Sequence, residues 1–275
     1  MCELLGMSAN VPTDIRFSFA GLAPRGGGAG PHCDGWGIAF YEGRAVRAFL
    51  DTEPCAKSIM ARFIGSHPIK SRTVIAHIRQ ANRGKVALAN THPFSRELWG
   101  RVWTFAHNGQ LRGVKSLPLD FYAPIGATDS EHAFCWMLDQ LRARHASLPS
   151  PKEVDREVAA LCLPLARMGV FNMLMSDGRS LYAFCGKKLS CLTRRAPFGQ
   201  ATLIDEDRKV NFAEETGPND CVTVVATGPL TSDEVWTAIK PGTLLALREG
   251  EVAASIFSEP FGRQKPQPRI KRASC

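Results

Sequence analysis

The feature that most constrains this chain is a series of short apolar segments, several of them set close together. Cys2–Met7, Trp36–Tyr41, Ala45–Leu50, Thr73–Arg79, Val102–His107, Val170–Ser176, Leu181–Cys185, Cys221–Thr227 and Leu244–Leu247 each have the length and side-chain character of a strand. Two of the gaps between them are hairpin turns: Ser176-Asp177-Gly178-Arg179 carries the Asp-Gly pair, and Glu42-Gly43-Arg44 is as short. Strands joined this tightly run antiparallel, because a parallel pair needs a crossover of about a dozen residues or more.

Helical patterning falls in separate blocks. Thr128-Asp129-Ser130-Glu131 spells a capping box, and behind it Ala133, Phe134, Met137, Leu138 and Leu141 line one face. Ser150-Pro151-Lys152-Glu153 repeats the device with Pro at the first helical position. Its apolar face is Val154, Val158 and Leu161, and Pro164 is expected to end or kink that helix. Asp14–Leu22 and Ala56–Ile64 are shorter candidates. Helices set apart from antiparallel strands predict an α+β layered sandwich rather than an alternating parallel α/β fold. Gly26-Gly27-Gly28-Ala29-Gly30 lacks the Lys-Ser/Thr of a phosphate loop and reads as a mobile loop, the alternative being a gate over a site.

Composition narrows the function classes. There is no basic segment followed by an apolar run and no apolar stretch long enough to span a bilayer, so a cytoplasmic protein without membrane association is expected. Nine cysteines, an odd number with no CxxC pair, read as reduced thiols; neither a disulfide framework nor a metal or organic cofactor is expected. Of the net charge of +8, five units come from Arg263, Lys265, Arg269, Lys271 and Arg272, with no acid after Glu259. Residues 2–262 are therefore expected to form one domain and 263–275 a basic, disordered tail. Nucleic acid is not expected as a partner, because no aromatic-and-basic recognition motif accompanies the tail.

Four positions could do chemistry together. Excision of Met1 would leave Cys2 with a free α-amine beside its thiol, and that amine, with a pKa of about 7.7–8, can take the thiol proton directly or through one water. In Ala76-His77-Ile78-Arg79, period-two alternation points His77 and Arg79 away from Val74, Ala76 and Ile78, and Arg79 would offer a planar fork to a carboxylate, unless it is a surface ion pair. Asn108-Gly109 is either a plain hairpin turn or an oxyanion site built from one side-chain amide and one backbone N–H. Asp129 is either a helix-dipole partner in the first turn or the acceptor for an ammonium group.

Taken in order, Cys2, His77-x-Arg79-x-Ala81-x-x-Gly84, Asn90-x-His92-Pro93, His107-Asn108-Gly109 and Thr128-Asp129-x-Glu131 resemble the class II glutamine amidotransferases, a family of N-terminal nucleophile hydrolases. The start of the chain, Asp34-Gly35-Trp36-Gly37 and His107-Asn108-Gly109-Gln110 look like its stand-alone branch. The resemblance implies a four-layer αββα sandwich with two largely antiparallel sheets. It implies Cys2 as nucleophile, Asn108 and Gly109 as oxyanion donors, Arg79 for the glutamine carboxylate, Asp129 for its ammonium and His92 as a pocket wall. The implied substrate is glutamine or another γ-glutamyl amide, with any ammonia-accepting function on a partner protein; a non-catalytic regulatory module of the same fold is the alternative. The chain departs from many family members at Gln80 and Asn82, where an aromatic residue and then a Thr are common, and this bears on the shape of the pocket.

Overall fold

The hairpin-rich pattern resolves into two antiparallel sheets stacked face to face. The computed structural model describes residues 2–81, 85–212 and 217–259. They run β1 (Glu3–Asp14), α1 (Arg16–Leu22), β2 (Trp36–Glu42), β3 (Ala45–Asp51), α2 (Ile59–Ser66), β4 (Lys70–Ile78), β5 (Phe94–Leu98), β6 (Arg101–Leu111), α3 (Asp129–Arg144), α4 (Pro151–Met168), β7 (Gly169–Ser176), β8 (Leu181–Cys185), β9 (Ser190–Arg195), β10 (Gln200–Thr202), β11 (Lys209–Asn211), β12 (Cys221–Ala226), β13 (Thr237–Ala238), β14 (Thr243–Arg248) and β15 (Glu251–Phe257). One sheet has the order β13-β9-β12-β1-β4-β2-β3, the other β15-β14-β8-β7-β6-β5, and β10 and β11 form a small hairpin beside them. Both predicted turns are present, joining β2 to β3 and β7 to β8, with Gly43 and Gly178 at positive φ.

Alternation along the strands sorts the core into layers. On β1, Leu5, Met7 and Ala9 face outward and are buried with Phe19, Leu22 and Ile64 of α1 and α2. Leu4 faces inward and meets Ile75, Ala106, Leu174 and Leu181 between the two sheets. The far side of the second sheet buries Phe105, Phe171 and Tyr182 against Phe134, Leu138, Val158 and Leu165 of α3 and α4. The result is the α-β-β-α sandwich that the resemblance implied. Each large apolar side chain fully buried in these layers contributes about 1.5–3 kcal/mol.

Several local expectations are corrected. Pro164 does not end α4, which continues to Met168. The carbonyl that a proline at 164 deprives of its partner is that of Ala160, an exposed residue at which water can replace the bond. The capping box of α3 is half made: Thr128 Oγ1 accepts from the Glu131 N–H, but the Glu131 carboxylate turns instead to the Ile125 and Gly126 N–H groups and to Arg96. At α2, Ser58 is the N-cap and accepts from the Ala61 N–H, which moves the helix later than its apolar spacing suggested. Within the glycine run the Pro24 carbonyl receives the N–H groups of Gly28, Ala29 and Gly30, which makes the segment a hydrogen-bonded turn. The basic tail lies outside the described residues. No helix among the described residues is long and apolar enough to cross a membrane.

Candidate active site

Pairing in the first sheet brings the two most reactive predicted side chains together. The β1–β4 register sets Glu3 opposite Ile78 and Leu4 opposite His77, and just beyond the ends of these strands Cys2 and Arg79 line the same cavity, with the Gln80 N–H directed at Cys2 Sγ. On β1, Cys2 shares the inward parity of Leu4, so its thiol belongs to the gap between the sheets. On β4 the predicted alternation holds: Val74, Ala76 and Ile78 pack outward, and Ile75 packs inward. The second sheet reaches the same place through β6, where Asn108 Nδ2 donates to the Cys2 carbonyl at 2.5 Å.

Cys2, Arg79, His92, Gly109 and Asp129 line one cavity of about 460 Å³. Asn108 stands behind its wall, 1% exposed, with Oδ1 free of any partner among the described residues. Asn108-Gly109 is not a turn, because β6 runs on to Leu111 and Asn108 pairs with Asn172 across the ladder. Asn172 fixes that peptide, donating to the Asn108 carbonyl at 3.1 Å while accepting from the Lys187 and Lys188 N–H groups. At Gly109 a Cβ would overlap the Val170 carbonyl oxygen, so only glycine allows the strand to pass this close.

The cavity lining carries charges of both signs. Arg79 is 4% exposed, yet its guanidinium meets only the carbonyls of Asp34 at 3.3 Å and Lys85 at 3.5 Å; no carboxylate pairs with it among the described residues. Asp129, at the first turn of α3, accepts from the Leu111 N–H at 2.7 Å and the Ser130 N–H at 3.0 Å, and no cation pairs with it among the described residues. The cavity thus offers one positive and one negative group, each held by backbone and neither neutralised. Burial pushes the Cys2 thiol above its ordinary range, opposed by the Gln80 N–H that points at Sγ from 3.3 Å and by the Arg79 charge. His92 packs its ring on His77 with centroids 4.2 Å apart, and burial keeps it well below the ordinary histidine range.

Sequence reasoning left three participants without a task. Asn90 accepts the Ala127 N–H at 2.8 Å and donates to the Lys85 carbonyl at 3.0 Å, joining the loop that holds Arg79 to the loop that leads into Asp129. His107 and Ser130 bond to one another at 2.8 Å on the cavity wall. Asn90 and His107 stood inside motifs but had no partner visible in the sequence; Ser130 had no signal beyond its place beside Asp129. No group of three or more His, Cys, Asp or Glu able to hold a metal occurs among the described residues.

Known proteins resemble this chain over most of its length. The family described as glutamine amidotransferases class-II matches residues 1–271. Escherichia coli YafJ, whose name places it provisionally among the glutamine amidotransferases, is 59% identical over 243 residues, 88% of this chain and 95% of YafJ. The crystal structure of a predicted glutamine amidotransferase from Pseudomonas aeruginosa is 49% identical with a TM-score of 0.74, covering 92% of this chain and all of that one. At 15% identity and a TM-score of 0.57, the glutamine phosphoribosylpyrophosphate amidotransferase of B. subtilis shares the fold, covering 93% of this chain and 49% of its own. The chain belongs to the class II glutamine amidotransferases.

Proposed function

We propose that this protein hydrolyses the side-chain amide of glutamine, or of a closely related γ-glutamyl amide, through a thioester on Cys2. The observation that carries the reading is the buried Arg79 guanidinium, lacking a carboxylate partner among the described residues and sharing a cavity with Cys2 and Asp129. A fixed cation and a fixed anion there would hold the α-carboxylate and α-ammonium of the substrate while its far end meets the thiol.

With Met1 removed, the Cys2 α-amine takes the thiol proton, a task that burial of the thiol makes necessary. Sγ then adds to the amide carbonyl. Asn108 Nδ2 spends one hydrogen on the Cys2 carbonyl, and its second hydrogen, with the Gly109 N–H, is the donor pair for the developing oxyanion. Ammonia leaves with the proton returned by the amine, and water releases glutamate from the thioester. The cavity volume of about 460 Å³ exceeds what glutamine needs and supports a second reading, a γ-glutamyl amide with a larger leaving group.

Cys2→Ala should abolish ammonia release from glutamine, and retained turnover would sink the assignment. An N-terminal mass spectrum of active protein should begin at Cys2. Comparing kcat/KM for glutamine with that for a panel of γ-glutamyl amides separates the two readings, since a dedicated glutaminase loses rate on bulky leaving groups.

A further inference from the structure

His107 takes no part in the reaction above, yet every polar atom of its ring is committed. It is 1% exposed, on β6 directly before Asn108 and Gly109. Nε2 lies 3.0 Å from the Val170 carbonyl oxygen, and Nδ1 lies 2.8 Å from Ser130 Oγ. A carbonyl can only accept, so Nε2 carries the proton. Burial holds the ring below the ordinary histidine range, against the pull of the Asp129 charge, so it is neutral. A neutral ring protonated at Nε2 has a lone pair on Nδ1, and the Ser130 hydroxyl must donate to it.

Each of these bonds ends on a group next to the machinery. The Val170 carbonyl is the atom against which Gly109 packs with no room for a side chain. Ser130 is the neighbour of Asp129 and donates its N–H to Asp129 Oδ1, while Asp129 Oδ2 accepts from Leu111 on the same strand as His107. The first turn of α3 is therefore tied to β6 at two points, with Gly109 between His107 and Leu111.

We propose that His107 is a positioning residue that sets the spacing between the oxyanion donors on β6 and the ammonium-binding carboxylate at the start of α3. The proposal rests on the amidase reading above. One imidazole holds Gly109 against β7 through Val170 and holds Asp129 through Ser130, so its two nitrogens serve two different steps. The Val170 bond acts on the oxyanion, which exists only in the transition state, and the Ser130 bond acts on a group that also binds the ground state.

Two near-isosteric replacements separate these roles. In His107→Gln the side-chain amide can donate where Nε2 does and keeps the Val170 bond; in His107→Asn the side-chain oxygen can accept where Nδ1 does and keeps the Ser130 bond. With ammonia release from glutamine as the assay, His107→Gln should act mainly on KM and His107→Asn mainly on kcat, each by roughly 10- to 100-fold, the scale of a small misplacement. Ser130→Ala should resemble His107→Gln, and the double variant Ser130→Ala/His107→Gln should be no worse in KM than either single one, because both remove the same bond. Glutamine binding measured by calorimetry in a Cys2→Ala background should weaken with Ser130→Ala and His107→Gln and change far less with His107→Asn.

The proposal is overturned if folded His107→Leu keeps wild-type kcat and KM, if the Gln and Asn variants lose kcat and KM in the same proportion, or if the Ser130 and His107 effects on KM add. Thermal melts identify a variant that merely unfolds, and the calorimetric comparison then decides with the folded ones. Turnover by Cys2→Ala equal to wild type would overturn the functional reading itself, a result distinct from any of these.

Discussion

At Arg79 stability and function pull in opposite directions. Placing a guanidinium at 4% exposure with only carbonyl oxygens as partners leaves a desolvated charge without a counter-ion among the described residues. Such a group adds little to stability, and under the proposed function its counter-ion is the substrate carboxylate. Arg79→Met keeps an unbranched apolar stem in place of the arginine's and removes the charge. Its melting temperature should equal or exceed that of wild type, while KM for glutamine rises at least ~30-fold, the equivalent of about 2 kcal/mol for one lost charge-assisted contact. In a Cys2→Ala background, saturating glutamine should raise the melting temperature with Arg79 and fail to do so with Met. A fall of several degrees in the ligand-free protein would instead make Arg79 a structural residue.

At the scale of the element, β6 carries Asn108 and Gly109, the proposed oxyanion pair, together with His107 and the Leu111 N–H that holds Asp129. The tight passage of Gly109 past β7 keeps these in one register. Gly109→Ala would force a Cβ into the Val170 carbonyl, so the ladder must open there. The expected result is a loss of about 1–3 kcal/mol in urea unfolding together with loss of turnover. Near-normal activity in a folded Gly109→Ala protein would show that the Gly109 peptide is not an oxyanion donor. The element scale also shows what the sequence could and could not tell. β1, β2, β4, β6, β7 and β8 announce themselves through runs such as Trp36–Tyr41 and Val170–Ser176, buried along most of their length. β5 and β15 do not, because Ser95, Arg96 and Glu97, or Val252, Ala253 and Ser255, lie on edge strands with one partner and exposed or half-exposed side chains, which weakens any hydrophobic period. Cys2, Arg79, Asn108, Gly109 and Asp129 were legible because each has a chemistry of its own. Asn90, His107 and Ser130 act through backbone and side-chain partners 5 to 63 residues away, so nothing local marks them.

At the scale of the whole molecule, the sandwich has a polar end inside its core. Between the sheets, the apolar filling of Leu4, Ile75 and Ala106 gives way to His77 and Arg79, with His92 stacked on His77, while His107 is buried on the opposite face of β6 against Phe171 and Ser130. Burial drives His77 down to about 3, His92 well below its ordinary range and His107 in the same direction. A histidine whose folded pKa is depressed binds its proton in the unfolded chain first, at about pH 6.5. Its contribution is therefore fully present above that pH and is lost as the pH falls from about 6.5 toward the folded value, at about 1.4 kcal/mol per pH unit for each such ring. The protein should consequently weaken steeply between pH 6.5 and 5, at a pH where most carboxylates are still ionised. His77→Leu, which replaces a buried neutral ring by an apolar side chain of similar size, should lose about 2 kcal/mol less than wild type over that interval in urea unfolding. Parallel stability curves for the two proteins would mean that His77 is protonated in the folded state at pH 5, and that the polar end of the core admits water and charge where its burial says it does not.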